Sequence, residues 1–143
     1  MSREIKFRAI SEKSGKFVYG DLIQTKPNSI DGQCSCLIKE KSFLGLGVIS
    51  TPTSNFSKVK PETVGQYTGL KDKNGVEIYE GDIVKSEYYE PDFSAISVIG
   101  YDEFDMRFCF KDKSGDLSGE QDAFVYGSLK VIGNIHENPE LLK

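Results

Sequence analysis

Four carboxylates crowd into one short stretch of this chain: Asp72, Glu77, Glu80 and Asp82. Side chains of that type and density could hold a divalent cation or work as a general acid and base. A calcium loop of the EF-hand type requires oxygen ligands at alternate positions, Gly at the sixth and Glu at the twelfth. Counted from Asp72, Val76 falls on a ligand position and Ile83 on the twelfth, so the pattern fails. Acid and base chemistry would need one carboxylate in an apolar pocket. The same residues read as two turns: Asp72-Lys73-Asn74-Gly75 closes a hairpin, because Gly accepts positive φ, and Glu80-Gly81-Asp82 makes a second turn.

Cys34, Cys36, Cys109 and His136 form a set that zinc permits. Within a strand, however, the two thiols of Cys-x-Cys share a face and pack as small hydrophobes. An odd number of cysteines in a reducing compartment reads as free thiols. His136 could act as a base and Cys34 or Cys109 as a nucleophile only if they converged, and no local spacing brings them together. Gly45-Leu46-Gly47 lacks the third Gly of a dinucleotide fingerprint, and Gly15-Lys16-Phe17 lacks the upstream Gly and the Ser/Thr of a phosphate loop. No catalytic residue, metal or cofactor is assigned, and the chain is expected not to be an enzyme.

Binding surfaces are the remaining option. Tyr88, Tyr89, Tyr101, Phe104, Phe108 and Phe110 lie on or beside expected strands, where exposed rings could grip a peptide or stack on bases, although most should be core. The net charge of −4 and pI near 5.1 give no general attraction for phosphate backbones. Lys58, Lys60, Lys71, Lys73 and Lys85 are the side chains that a nucleic-acid face would have to collect.

The elements that must position these residues are mainly strands. With 143 residues, 38% of them hydrophobic, the chain can bury roughly 70% of its unfolded surface without a disulfide or metal. Ile5, Phe7 and Ala9 alternate with Glu4, Lys6 and Arg8, a strand with one polar face, and Glu12-Lys13-Ser14-Gly15 turns it into Lys16-Phe17-Val18-Tyr19. Acid-Lys-Ser/Asn-Gly recurs at Asp72–Gly75 and at Asp112–Gly115, either as a duplication or as one good turn used three times. Residues 24–60 form an irregular excursion with one or two strands. Strands follow at 82–89, 96–101, 106–110, 124–126 and 130–135, and about five short strands suit a small SH3-like barrel, or else an open meander. Asn138-Pro139-Glu140 starts a short helical turn that ends the chain. The expected architecture is therefore an N-terminal β-hairpin region, 1–65, followed by a C-terminal SH3-like barrel, 66–143, with little helix.

Four ordered segments carry a family resemblance: Arg3-Glu4-Ile5-Lys6-Phe7-Arg8-Ala9, Gly65-Gln66-Tyr67-Thr68-Gly69-Leu70-Lys71-Asp72-Lys73-Asn74-Gly75, Glu77-Ile78-Tyr79-Glu80-Gly81-Asp82-Ile83-Val84, and Val131 through Leu142 (VIGNIHENPELL). In these the chain resembles the YopX family of phage and prophage proteins. Ile10 stands where the family usually has Trp, and His136 where Tyr is frequent. The resemblance implies a phage or prophage origin and a C-terminal domain similar to an SH3-type barrel, and it supplies no activity. Its motif residues are Tyr67, Gly69, Leu70, Asp72, Asn74, Gly75, Tyr79, Gly81, Asp82, Val84, Gly133, Asn134, Asn138 and Pro139, with structural roles expected for all of them.

The function expected is a non-enzymatic protein-interaction module binding a host or phage protein, with nucleic-acid binding as the alternative and self-association through sheet edges. The charged start of the chain lacks the apolar stretch of a secretory signal, and no apolar run nears the ~20 residues that span a bilayer. A cytoplasmic location in a bacterial host is expected, with no membrane contact.

Overall fold

The structure is a computed structural model that describes residues 3–25, 35–40, 56–87, 94–117 and 128–143. It is mainly β, and helix among the described residues is confined to two short 3-10 turns. The backbone divides into two compact units, 1–66 and 67–143. Cys34, Gly45-Leu46-Gly47, Tyr88, Tyr89 and the strand expected at 124–126 lie outside the described residues.

The first unit is an antiparallel sheet. β1 (Phe7–Ile10), β2 (Phe17–Gln24), β3 (Cys36–Glu40) and β4 (Phe56–Val59) are ordered β4-β3-β2-β1. The start of β5 (Gly65–Lys71) lies on the other side of β1, with Phe7 opposite Gln66. The alternation read in the sequence buries Ala9, and it meets Cys36, Ile38 and Val59 in a core that Phe7, Val18, Leu22 and Val64 flank. The first hairpin closes with Ile10 opposite Phe17. Ser11 caps its turn, its Oγ accepting the backbone N–H groups of Lys13 and Ser14, while Gly15 takes φ 67°. Arg8 departs from the expected polar face, being only 7% exposed. Its guanidinium lies 4.7 Å from the centre of the Phe17 ring, so the planar head buries against an aromatic face as readily as its stem.

The second unit contains the rest of β5, β6 (Glu77–Tyr79), and a four-stranded antiparallel sheet. That sheet runs β10-β7-β8-β9, from β7 (Asp82–Glu87), β8 (Ser94–Asp102), β9 (Arg107–Lys111) and β10 (Ser128–Asn134). One face carries Val84, Ile99, Phe110 and Leu129, which bury against Ile78 of β6 with Val131 beside them. Each such side chain contributes about 1.5–3 kcal/mol when fully buried. Among the described residues no ladder joins β9 back to β10 or to β6, so the pairing seen is that of a meander with β10 laid along its first strand. The chain ends in a 3-10 turn, Pro139–Leu142.

Candidate functional site

The acid-Lys-Asn-Gly turn is a device for tying strands together. Asp72 is 7% exposed, and its Oδ1 accepts the N–H groups of Asn74 at 2.8 Å and Val76 at 2.9 Å. Its Oδ2 accepts the Val131 N–H at 2.9 Å, while the Lys73 N–H donates to the Leu129 carbonyl, so the turn is fastened along β10. Burial alone would raise the Asp72 pKa. The three backbone donors, led by Val131, and the nearby Lys73 charge outweigh it, and the carboxyl sits below its usual value. Gly75 takes φ 81° within this turn. At the third copy of the motif Asp112 repeats the local pattern, its Oδ1 accepting Ser114 and Asp116 N–H groups.

The neighbouring motif residues serve the same end. Tyr67 and Tyr79 face each other across β5 and β6 with ring centres 5.4 Å apart, and the Tyr79 hydroxyl donates to Glu77. Gly69, at φ 90°, and Leu70 lie exposed where the β5–β6 register shifts. Asp82 is buried, and its Oδ2 accepts the Tyr79 N–H at 2.8 Å across the turn that Gly81 makes at φ 86°. Gly81 donates to the Ile99 carbonyl and accepts from the Ile135 N–H, joining β8 to the segment after β10. Asn134 Oδ1 accepts the N–H groups of His136 and Glu137, and its amide donates to the Glu137 carboxylate. The Asn138 N–H donates to the Asn134 carbonyl, and exposed Pro139 follows at the start of the final turn. A Cβ added to Gly133 would stand 2.7 Å from Asn138 Oδ1 and 2.9 Å from Leu141 Cδ1, so the turn packs directly on β10.

Asp72, Glu77 and Asp82 are thus engaged with backbone or with Tyr79, and among the described residues no group of three or more His, Cys, Asp or Glu side chains could hold a metal. Cys36 and Cys109 are buried free thiols in separate sheets. Burial raises the Cys109 pKa, which keeps the group a thiol and a poor nucleophile. The lysines proposed for a nucleic-acid face are distributed: Lys58 pairs with Glu12 at 3.3 Å, and Lys60 follows β4 in the first unit. Lys71, Lys73 and Lys85 belong to the second unit, where Lys85 stands opposite Lys130. A cleft of about 300 Å³ in the first unit lies between Glu4, Lys6, Phe17, Tyr19 and Glu40.

Among the described residues, the far end of the β8–β9 hairpin carries the most exposed large apolar side chain. Tyr101 and Phe108 are cross-strand partners, edge to face at 5.6 Å, on the same side of the hairpin as Ile99 and Phe110 but beyond the core. Past them the chain turns through Asp102-Glu103-Phe104-Asp105-Met106, where Phe104 is 94% exposed and Met106 77% exposed. Asp102 shapes the turn by accepting the Phe104 N–H at 2.9 Å, and Arg107 pairs with Asp105 at 3.0 Å. Met106 takes φ 52°, a left-handed conformation that costs a non-glycine residue roughly 1–2 kcal/mol. Of the rings singled out in the sequence, Phe110 is buried, Phe108 half-buried, and Tyr101 and Phe104 exposed. The sequence pattern places Met106 first in a strand, whereas it lies in the turn just before β9, its φ of 52° being incompatible with an extended strand. The signal for a displayed loop was the acidic run interleaved with Phe104 and Met106.

A profile of the YopX protein family matches residues 6–143, nearly the whole chain, and the chain belongs to that family. It is also similar to a crystal structure of protein EF1440 from Enterococcus faecalis, at 29% identity with a TM-score of 0.54, over 99% of this chain and 100% of that one. No curated protein matches it.

Proposed function

We propose that this protein is a phage-encoded, non-enzymatic interaction module that docks on a host or phage protein in the bacterial cytoplasm through the end of its β8–β9 hairpin. The observation that carries the reading is Phe104, a large aromatic side chain 94% exposed at a turn that Asp102 and Arg107 hold in shape. Large apolar side chains displayed together on a rigid turn are the usual anchors of protein interfaces. The hydrogen-bond economy of the motif residues supports it further, since their side chains rigidify the scaffold that presents the turn. Affinity purification from lysogenic cells with the wild type and with Phe104→Ser tests it. A specific protein retained by the wild type and lost with the variant is expected, and equal recovery by both would contradict it.

Nucleic-acid binding is the second reading, favoured by Lys85 and Lys130 facing each other across β7 and β10. Like charges directly opposite destabilise a sheet unless an anion lies between them. It ranks below the first because the chain carries a net charge of −4. A low-salt shift assay with single- and double-stranded DNA and RNA distinguishes the two. Self-association through the edge strands is a further expectation, which light scattering at high concentration tests.

A further inference from the structure

Resting on that reading, we infer that the β8–β9 tip fits a partner protein whose surface presents an apolar pocket rimmed by Lys or Arg. Two features of the tip define this occupant. Phe104 and Met106 stand exposed as an apolar plug on the turn that follows the Tyr101–Phe108 pair. Around the plug stand Asp102, Glu103 and Asp105, against which the turn sets a single cation, Arg107, already paired with Asp105. A plug ringed by excess negative charge matches a pocket ringed by positive charge, and it is repelled by an acidic one. The same charges make two other surfaces poor matches. An anionic lipid leaflet and a phosphate backbone would both be repelled by the excess negative charge of the turn.

The backbone at Met106 fits this role. A displayed residue held at φ 52° carries a conformational cost that a Gly would avoid, and such costs persist where a surface is pre-shaped for binding. Pre-shaping matters most for a small contact, where ordering a loose loop would consume much of the affinity.

Two synthetic amphipathic helical peptides of about fifteen residues provide the test, one built from Leu and Lys and the other from Leu and Glu, each titrated against the full chain by fluorescence polarisation. The Leu/Lys peptide should bind, and binding should weaken as salt rises. Phe104→Ser, which changes no charge, should weaken it at least tenfold, Glu103→Gln severalfold, and the Leu/Glu peptide should bind at least tenfold less tightly than the Leu/Lys one. Equal binding of Leu/Lys by the wild type and Phe104→Ser would mean that generic charge attraction suffices, and would overturn the inference. Equal binding of the two peptides would overturn the cationic rim. In either case a cellular partner that still depends on Phe104 would leave the interaction reading standing, whereas capture indifferent to Phe104 would remove that reading itself.

Discussion

The Oδ2 atom of Asp72 lies 2.9 Å from the backbone nitrogen of Val131, 59 residues further along the chain. One carboxylate therefore closes a four-residue turn with one oxygen and fastens it to a distant strand with the other. Asp112 closes the same kind of turn, yet among the described residues its carboxylate bonds only within that turn.

The two turns should respond differently to truncation. Asp72→Ala strands three N–H donors, one of them in β10, and should cost about 2–3 kcal/mol, because hydrogen bonds to a charged group are the stronger kind. Asp112→Ala leaves exposed donors that water can satisfy and should cost under about 1 kcal/mol. Urea unfolding of both variants measures the difference, and similar costs would contradict the clasp.

Asp72 also sets a pH dependence. Its folded-state pKa lies below the usual 3.8, so the native state favours the charged form. The stability this adds is fully present above 3.8, fades as pH falls below that value, and is gone once pH drops under the lowered folded pKa. Asp72→Asn should therefore be less stable than the wild type at neutral pH, and the gap should close on acidification. A gap that stays constant or widens towards acid would refute the assignment.

Gly133→Ala tests the packing of the C-terminal turn. The new Cβ would press on Asn138 and Leu141, and crowding of this kind costs about 1–3 kcal/mol. Hydrogen exchange should speed up at Ile135 and Leu141 more than at Ile99, since the former lie in or beside the segment that must move.

Met106→Gly should act in two directions at once. Releasing a non-glycine residue from the left-handed region gains roughly 1 kcal/mol, and the extra freedom of Gly in the unfolded chain gives back about half of it. The variant should be about 0.5 kcal/mol more stable in urea and yet bind the Leu/Lys peptide more weakly, the exchange of stability for function that displayed sites show. A variant that is both more stable and an equal binder would contradict a role for the side chain.

How much of this could be read from the residues follows from how local each feature is. The turns at Glu12–Gly15, Asp72–Gly75 and Asp112–Gly115 were legible because an acid-Lys-Ser/Asn-Gly run ending in a Gly with positive φ acts within four residues. The turn copies differ in one respect the motif hid: in the first, Ser11 caps in place of Glu12. The strands were legible from alternation, with ends that moved by a few residues, β8 running Ser94–Asp102 where 96–101 was read. Arg8 was misplaced because burial of a cation depends on Phe17, which only the paired strand brings beside it. For Phe104 and Met106 the acidic run around them was the one local signal of exposure, since whether a ring in a loop is covered depends on what the rest of the fold leaves above it. The long-range half of the Asp72 clasp was hidden for the same reason, as no local pattern connects it to Val131.

A photo-reactive phenylalanine analogue placed at position 104, with the same analogue at the exposed position of Lys13 as control, tests the interaction reading most directly in lysogenic cells. Irradiation should yield one dominant protein adduct from position 104 that is absent from position 13. No adduct from 104, or the same adducts from both positions, would contradict the claim that the β8–β9 tip is the docking site.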